Sequence, residues 1–203
     1  MSNRVDFCDL TWLFTCDNRN RGILRMNFDE AALLWKSVRT TDGAILEVGR
    51  RHAGSTVLLC AAAGSREVVS IDIAPQHAPQ SDAFLKQPTV ADRVTLIISD
   101  SRQSLPNRRF GMLFIDGDHS YEGVKQDTIA HWPALLRNGE HPALASFHDA
   151  VPNPGLVYAG ELNHCPGVRQ LCEELVNAGA AKKHASAGSL LVLEKVSELP
   201  AGF

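Results

Sequence analysis

Short runs of branched and aliphatic residues recur along the chain, separated by stretches where apolar positions return every three or four residues. Seven of these runs read as strands, namely Ala44–Val48, Val68–Ile73, Val94–Ile98, Met112–Ile115, Ala143–Phe147, a weaker Lys182–Ala185, and Ser189–Lys195. Helical periodicity fills the intervals at Ser55–Ala63, Tyr121–Leu136 and Val168–Asn177. Ahead of the first strand, Asn27–Val38 places Phe28, Ala31, Leu34, Trp35 and Val38 on one stripe. Ser55 and Thr56 stand where a hydroxyl caps a helix start, and Gly179 where a helix stops. This alternation predicts an α/β fold: a Rossmann-like, doubly wound, mostly parallel seven-stranded sheet with helices on both faces. Residues 1–42 then form an N-terminal arm and helix, and 43–203 the sheet domain. The arm either covers the site or contacts another copy in a homo-oligomer.

Composition narrows the possibilities. Of 203 residues, 44% are hydrophobic and 21% charged, which suits a packed globular core rather than disorder. A formal net charge of -3 argues against a general nucleic-acid binder. The pairs Arg50-Arg51 and Arg108-Arg109 read as solvated surface. No apolar run approaches the roughly 20 residues that span a bilayer, and Met1–Asp9 lacks a signal-peptide core. The five cysteines (Cys8, Cys16, Cys60, Cys165, Cys172) form no CxxC pair and read as reduced thiols of a cytoplasmic protein. Cys60 falls in an apolar stretch and reads as core.

In an open α/β sheet, ligands gather beyond the carboxyl ends of the strands. The first strand runs into Glu47-Val48-Gly49-Arg50-Arg51-His52-Ala53-Gly54-Ser55-Thr56. Glycine here lets backbone approach a ligand closely, and the following helix offers free amide donors. Asp72 ends the second strand, placed to accept from both hydroxyls of a ribose. The turn is not GxGxxG, so no pyrophosphate cradle is expected.

Glu-x-Gly after strand one, an acid ending strand two, and Ser99-Asp100-Ser101 after strand three resemble the class I S-adenosylmethionine-dependent methyltransferase signature. The resemblance implies that Gly49 and neighbouring backbone, with Gly54 and Ser55, face the methionine part of S-adenosyl-L-methionine. It implies Glu47 behind the amino end, Asp72 on the ribose, Ile73 beside the adenine, and Asp100 and Ser101 near its ring. The family turn usually carries a second glycine where this chain has Ala53, with Gly54 next, as though shifted by one position.

The segment Ile115-Asp116-Gly117-Asp118-His119-Ser120-Tyr121-Glu122 delivers two acids and a histidine to the same edge, and the next strand ends in Phe147-His148-Asp149. Asp116 and Asp149, at adjacent strand ends, are placed to share a proton or a divalent cation, since bare carboxylates so close repel. Oxygen ligands favour magnesium, calcium or manganese over zinc. This run is similar to a bacterial subgroup: the metal-dependent sugar O-methyltransferases of macrolide and aminocoumarin biosynthesis and the cephalosporin hydroxylase-like proteins. There an Asp-x-x-His segment supplies a metal ligand and a general base, which carries over onto Asp116 and His119. The subgroup's later acidic pair falls on His148 and Asp149.

Asp118 and Glu122 suit a helix N-terminus, Tyr121 suits core or substrate equally, and His131 and Trp132 follow the packing stripe. His164-Cys165 has no companion ligands nearby in sequence. The expectation is metal-assisted O-methylation of a small hydroxylated metabolite, with no nucleic-acid or membrane partner. The alternatives are a non-methylating enzyme of the cephalosporin hydroxylase-like type on the same scaffold, or a cofactor-binding protein without turnover. Specificity falls to the arm and to a lid-length loop over 151–166.

Overall fold

The computed structural model describes residues 5–14, 23–74, 77–152, 157–158, 161–162 and 165–203. In chain order the strands are β1 (Ala44–Val48), β2 (Val68–Asp72), β3 (Val94–Ile98), β4 (Phe110–Ile115), β5 (Leu144–Phe147), a short hairpin of β6 (Val157–Tyr158) and β7 (Glu161–Leu162), then β8 (Ala181–Ala187) and β9 (Leu190–Lys195). The helices are α1 (Phe28–Thr40), α2 (Gly54–Ala63), α3 (Pro79–Leu85), α4 (Pro88–Ala91), α5 (Tyr121–His131) and α6 (Pro166–Asn177). Seven strands form one sheet in the order β3-β2-β1-β4-β5-β9-β8. Strands β1 to β5 pair in parallel, and β9 runs antiparallel to both its neighbours. The expected doubly wound sheet is present.

All six residues of β4 are buried, because a central parallel strand is covered on both faces and reads as a continuous apolar run. One core packs α1 and α2 on one face, through Leu34, Val38, Leu58 and Leu59. The other packs α5 and α6 on the opposite face, through Val124, Leu171 and Leu175. Helix α2 is buried at every position, so it shows little amphipathic pattern. Its Cys60 is core, as expected, and burial pushes that thiol up to about 12. His131 and Trp132 are also fully buried.

Some elements differ from expectation. The helix expected to reach Leu136 stops at His131 and passes into a 3-10 turn, Trp132–Ala134, because Pro133 offers no backbone donor. Helices α3 and α4 went unforeseen; each is one or two turns opened by a proline, too short for a periodic signal. Gly179 does follow α6 with φ 70 and bonds back to the Val176 carbonyl.

Register places the site. Val48 lies beside Ile71 and Ile115, and Ile115 beside Phe147, so Gly49, Asp116 and His148 leave the sheet along one edge. The winding reverses between β1 and β4, where a crevice opens. On the N-terminal side, a 3-10 helix (Phe7–Leu13) buries Leu10 and Leu13, and the Leu24 amide bonds to the Leu13 carbonyl. Ile23–Met26 thereby cross above the start of α2.

Candidate functional site

A cleft of about 900 Å³ opens at this edge. Its first half is the turn after β1. Glu47 is fully buried beneath that turn and does not line the cleft. Its carboxylate accepts from the hydroxyls of Ser55 at 2.5 Å, Thr56 at 2.6 Å and Ser70 at 2.5 Å. Burial pushes its pKa up, and these bonds only partly offset that. The hydroxyls of Ser55 and Thr56 therefore tie α2 to β1 rather than capping the helix. The capping position belongs to Ala53, left-handed at φ 62.

The glycines answer to protein neighbours. At Gly49 (φ 85) a Cβ would sit 2.1 Å from the Asp116 carbonyl oxygen, so the close approach is to β4's exit. At Gly54 a Cβ would lie 2.4 Å from the Ile23 carbonyl oxygen. Gly49, Gly54 and Ser55 all line the cleft, with Ile23–Met26 forming part of its wall.

Asp72 Oδ2 accepts from the backbone amides of Arg50 at 2.6 Å and Arg51 at 2.8 Å, and its Oδ1 from that of Ala74 at 2.8 Å. Burial raises its pKa, but these amides outweigh burial and hold the carboxyl low. Arg50 corrects the surface reading of the Arg-Arg pair: it is 2% exposed, whereas Arg51 is exposed. Its guanidinium donates to the Ser70 carbonyl at 2.8 Å and to His77 Nε2 at 2.9 Å, which replaces the water it loses. Ile73 stands at the rim, an apolar side chain 79% exposed. Asp100 pairs with Arg102 at 2.6 Å, and the Ser101 hydroxyl donates to Asp127 at 2.7 Å; all four line the cleft.

The second half lies at the ends of β4 and β5. His119 Nε2 is 3.1 Å from Asp116 Oδ1, and its Nδ1 is 3.6 Å from Asp149 Oδ2. A carboxylate only accepts, so Nε2 carries the hydrogen and Nδ1 faces Asp149. His148 Nδ1 lies 3.3 Å from Asp116 Oδ1 and 3.4 Å from Asp149 Oδ2, while its Nε2 faces Glu30 Oε2 at 3.5 Å. Burial lowers the pKa of His148, but the Asp116 charge and its bonds to three carboxylates outweigh burial and raise it well above 6.5. His148 is thus wedged between carboxylates. Asp116 is pushed up by burial and held far lower by the charge of His148 and the His119 bond. The Asp116 bond raises His119 against burial. Asp149 has a left-handed φ of 56, a strained conformation that aims its side chain into the cluster.

Asp116, His119, His148 and Asp149 therefore converge, and ligand atoms of Asp116, His148 and Asp149 lie within 4.8 Å of one another. Asp118 accepts from the Ser120 amide at 2.9 Å just ahead of α5 and lines the cleft; Tyr121 turns away, its hydroxyl donating to Glu174 at 2.6 Å.

Two participants escaped the sequence reading. Glu30 on α1 is 2% exposed, and its acid is raised by burial but brought down to about 2 by His148 and by the Asn27 and Ser189 amides. The Asn27-x-x-Glu30 spacing signals a helix start and gives no hint of His148. Cys165, set aside for want of companions, sits 3.4 Å from His119 Nδ1. Its partner in that reading, His164, and much of the lid-length loop lie outside the described residues, as do Cys16 and residues 1–4 and 15–22 of the arm.

The chain matches a methyltransferase domain family over residues 46–149. It is 26% identical over 117 residues to a catechol O-methyltransferase of Mycobacterium tuberculosis (strain ATCC 25618 / H37Rv), covering 56% of this chain and about half of that relative, 50% of its length. Among solved structures it resembles cofactor-bound Rv0187 from MTB, with TM-score 0.62, 19% identity, and 85% and 82% of the two chains covered. It also resembles CalS11, a TDP-rhamnose 3'-O-methyltransferase of calicheamicin biosynthesis, with TM-score 0.57, 18% identity, and 81% and 76% covered.

Proposed function

We propose that this chain, which belongs to the methyltransferase domain family, transfers the methyl group of S-adenosyl-L-methionine to a hydroxyl of a small metabolite. The observation that carries the reading is the convergence of Asp116, His119 and Asp149 beside the Gly49 turn in one cleft. That volume accommodates a nucleoside-sized cofactor together with a small acceptor. Open lone pairs on the Asp72 anion suit ribose hydroxyls, the uncovered Ile73 suits an adenine face, and the backbone around Gly49 and Gly54 suits the methionine end. Ser101 and Asp127, with Asp100, complete the adenine side.

Once bound, the cofactor supplies an electrophilic methyl group. Asp116 fixes the His119 ring through Nε2, leaving Nδ1 to take the acceptor's hydroxyl proton. The cleft walls hold the acceptor oxygen in line, so positioning carries most of the rate. Asp116, Asp149 and His148 suit a divalent ion, whose chemistry there would be Lewis acidity towards the acceptor hydroxyl. Two carboxylates and one imidazole favour manganese more than an all-oxygen set does. Convergence supports turnover over a binding protein without it, and the likeness to a sugar O-methyltransferase fold supports a hydroxylated acceptor. Among the described residues no helix is long and apolar enough to cross a membrane. The free thiols Cys8, Cys60, Cys165 and Cys172 suit a reducing cytoplasm.

The test is calorimetric titration with S-adenosyl-L-methionine, with and without magnesium or manganese, followed by labelled-methyl transfer to a panel of sugars and catechols. Cofactor binding with methylation of any hydroxyl upholds the reading. Absence of heat and of thermal shift under every condition overturns it.

A further inference from the structure

Cys165 changes the chemistry available beside His119. Its Sγ lies 3.4 Å from His119 Nδ1, and that same nitrogen lies 3.6 Å from Asp149 Oδ2. The three ligand atoms fall within 4.8 Å of one another. From the bond lengths of tetrahedral zinc, neighbouring N, O and S ligands stand about 3.3–3.6 Å apart. The two measured spacings lie in that range without any movement of the chain.

Orientation agrees with spacing. A metal-binding histidine characteristically gives its other N–H to a carboxylate, which fixes the tautomer and raises ligand basicity. His119 does this through Nε2 to Asp116 at 3.1 Å, leaving the Nδ1 lone pair towards Cys165 and Asp149. Asp149 is held in turn: its Oδ1 accepts from the Ser189 hydroxyl at 3.2 Å, leaving Oδ2 for the cluster. Cys165 is fixed by its own amide, which donates to the Asp149 carbonyl at 2.7 Å. His119 and Asp149 are thus positioned by groups outside the set, and the backbone of Cys165 is tied to that of Asp149 within it.

We propose that His119, Asp149 and Cys165 form a second cation site, for a thiophilic divalent ion of the zinc class, distinct from the harder Asp116–His148–Asp149 set and sharing Asp149 with it. Sulfur and imidazole select zinc or cobalt over magnesium. On binding, the Cys165 thiol proton goes to solvent, and sulfur and Nδ1 each donate an electron pair to the ion. Three protein ligands leave the fourth position of a tetrahedron open to water or to an incoming ligand. The geometry of this site stands whether or not the chain methylates anything. Where the methyl-transfer reading holds, zinc removes the free Nδ1 of His119 and therefore stops turnover that magnesium or manganese permits.

The experiment is cobalt titration of the reduced, full-length protein under anaerobic conditions, read by absorption. The expected result is a near-ultraviolet thiolate-to-cobalt charge-transfer band with tetrahedral visible bands, abolished by equimolar zinc and untouched by excess magnesium. Loss of an outer-shell partner already costs about 10–100-fold in metal affinity, so Cys165→Ser should weaken zinc binding by about 100-fold or more and erase the band. A second readout needs no variant: zinc should protect Cys165 from alkylation, mapped by peptide mass, while exposed Cys8 stays reactive. A band that survives in Cys165→Ser overturns the proposal. So does cobalt uptake without sulfur-to-metal absorption, or zinc that leaves Cys165 alkylation unchanged. Cofactor calorimetry of the zinc-free protein reports separately on the methyl-transfer reading, so the two can fail independently.

Discussion

At the turn after β1, the carboxylate oxygens of Glu47 and Asp72 are met by donors at 2.5–2.8 Å. Around His119 the titratable groups face each other at 3.1–3.6 Å. In the first region the buried Glu47 has the partners that burial demands, and the half-buried Asp72 is anchored by three backbone amides. The second keeps His148 and His119 among carboxylates, with ligand atoms of several groups aimed at a common space. Buried acids that hold the fold together and buried acids that await a ligand look alike in composition. Contact length separates them.

The largest expected effect tests whether the reaction end does chemistry rather than binding. His119→Ala should lower the methyl-transfer rate by about 10²–10⁴-fold and leave cofactor affinity unchanged in calorimetry. An equal loss of both would erase the distinction between the two regions. On the opposite side, Glu47→Ala strands three buried hydroxyls and should lower unfolding stability by about 3–5 kcal/mol. Urea denaturation measures it, and a loss confined to activity would mean that Glu47 belongs with the reacting groups.

A pH profile sharpens the contrast. His119 takes a proton, so it must begin neutral, and its pKa is raised above the ordinary 6.5 by the Asp116 bond. The rate should climb with pH, about tenfold per unit below that pKa, and level off above 6.5. A profile flat from pH 5 to 9, limits of about the range in which histidine titrates, would remove His119 as the base. A smaller effect is expected at Asp72→Asn, which loses an anion under the Arg50 and Arg51 amides: cofactor affinity should fall by about tenfold, the worth of a charge-assisted bond. The smallest is Ala53→Gly. Relief of a left-handed alanine, about 1 kcal/mol, is offset by the lost methyl burial and the looser unfolded chain. A shift beyond about 0.5 kcal/mol in either direction would mean that the turn is strained in a way Ala53's dihedral angles do not express.

The fold was largely legible because parallel strands buried on both faces and helices with one apolar stripe leave strong periodic marks. Asp116, His119, His148 and Asp149 were legible for a related reason: strand ends in a doubly wound sheet put chemistry at predictable chain positions. What sequence spacing could not carry was side-chain direction. Ser55 and Thr56 occupy ideal capping positions, yet a buried Glu47 captures their hydroxyls. Arg50 and Arg51 are neighbours with opposite fates, one under the turn and one in solvent, because left-handed φ values at Gly49 and Arg51 twist the backbone between them. Cys165 had no companion in sequence because its companions come from two other strand ends. Glu30 was a helix-start residue until the fold brought His148 to it.

Glu30 has a consequence for how the protein comes into being. Its carboxylate accepts from the amide and hydroxyl of Ser189, a partner 159 residues further along the chain, and a Cβ at neighbouring Gly188 would lie 2.3 Å from the same carboxylate. The helix carrying Glu30 is made well before the hairpin carrying Ser189, so the pocket that grips His148 can close only after Ser189 has left the ribosome. Contacts of such long range are slow to form and late in folding. Nascent or C-terminally truncated chains would carry every residue of the reacting cluster and still lack its anchor, which makes assembled activity a read-out of completed folding.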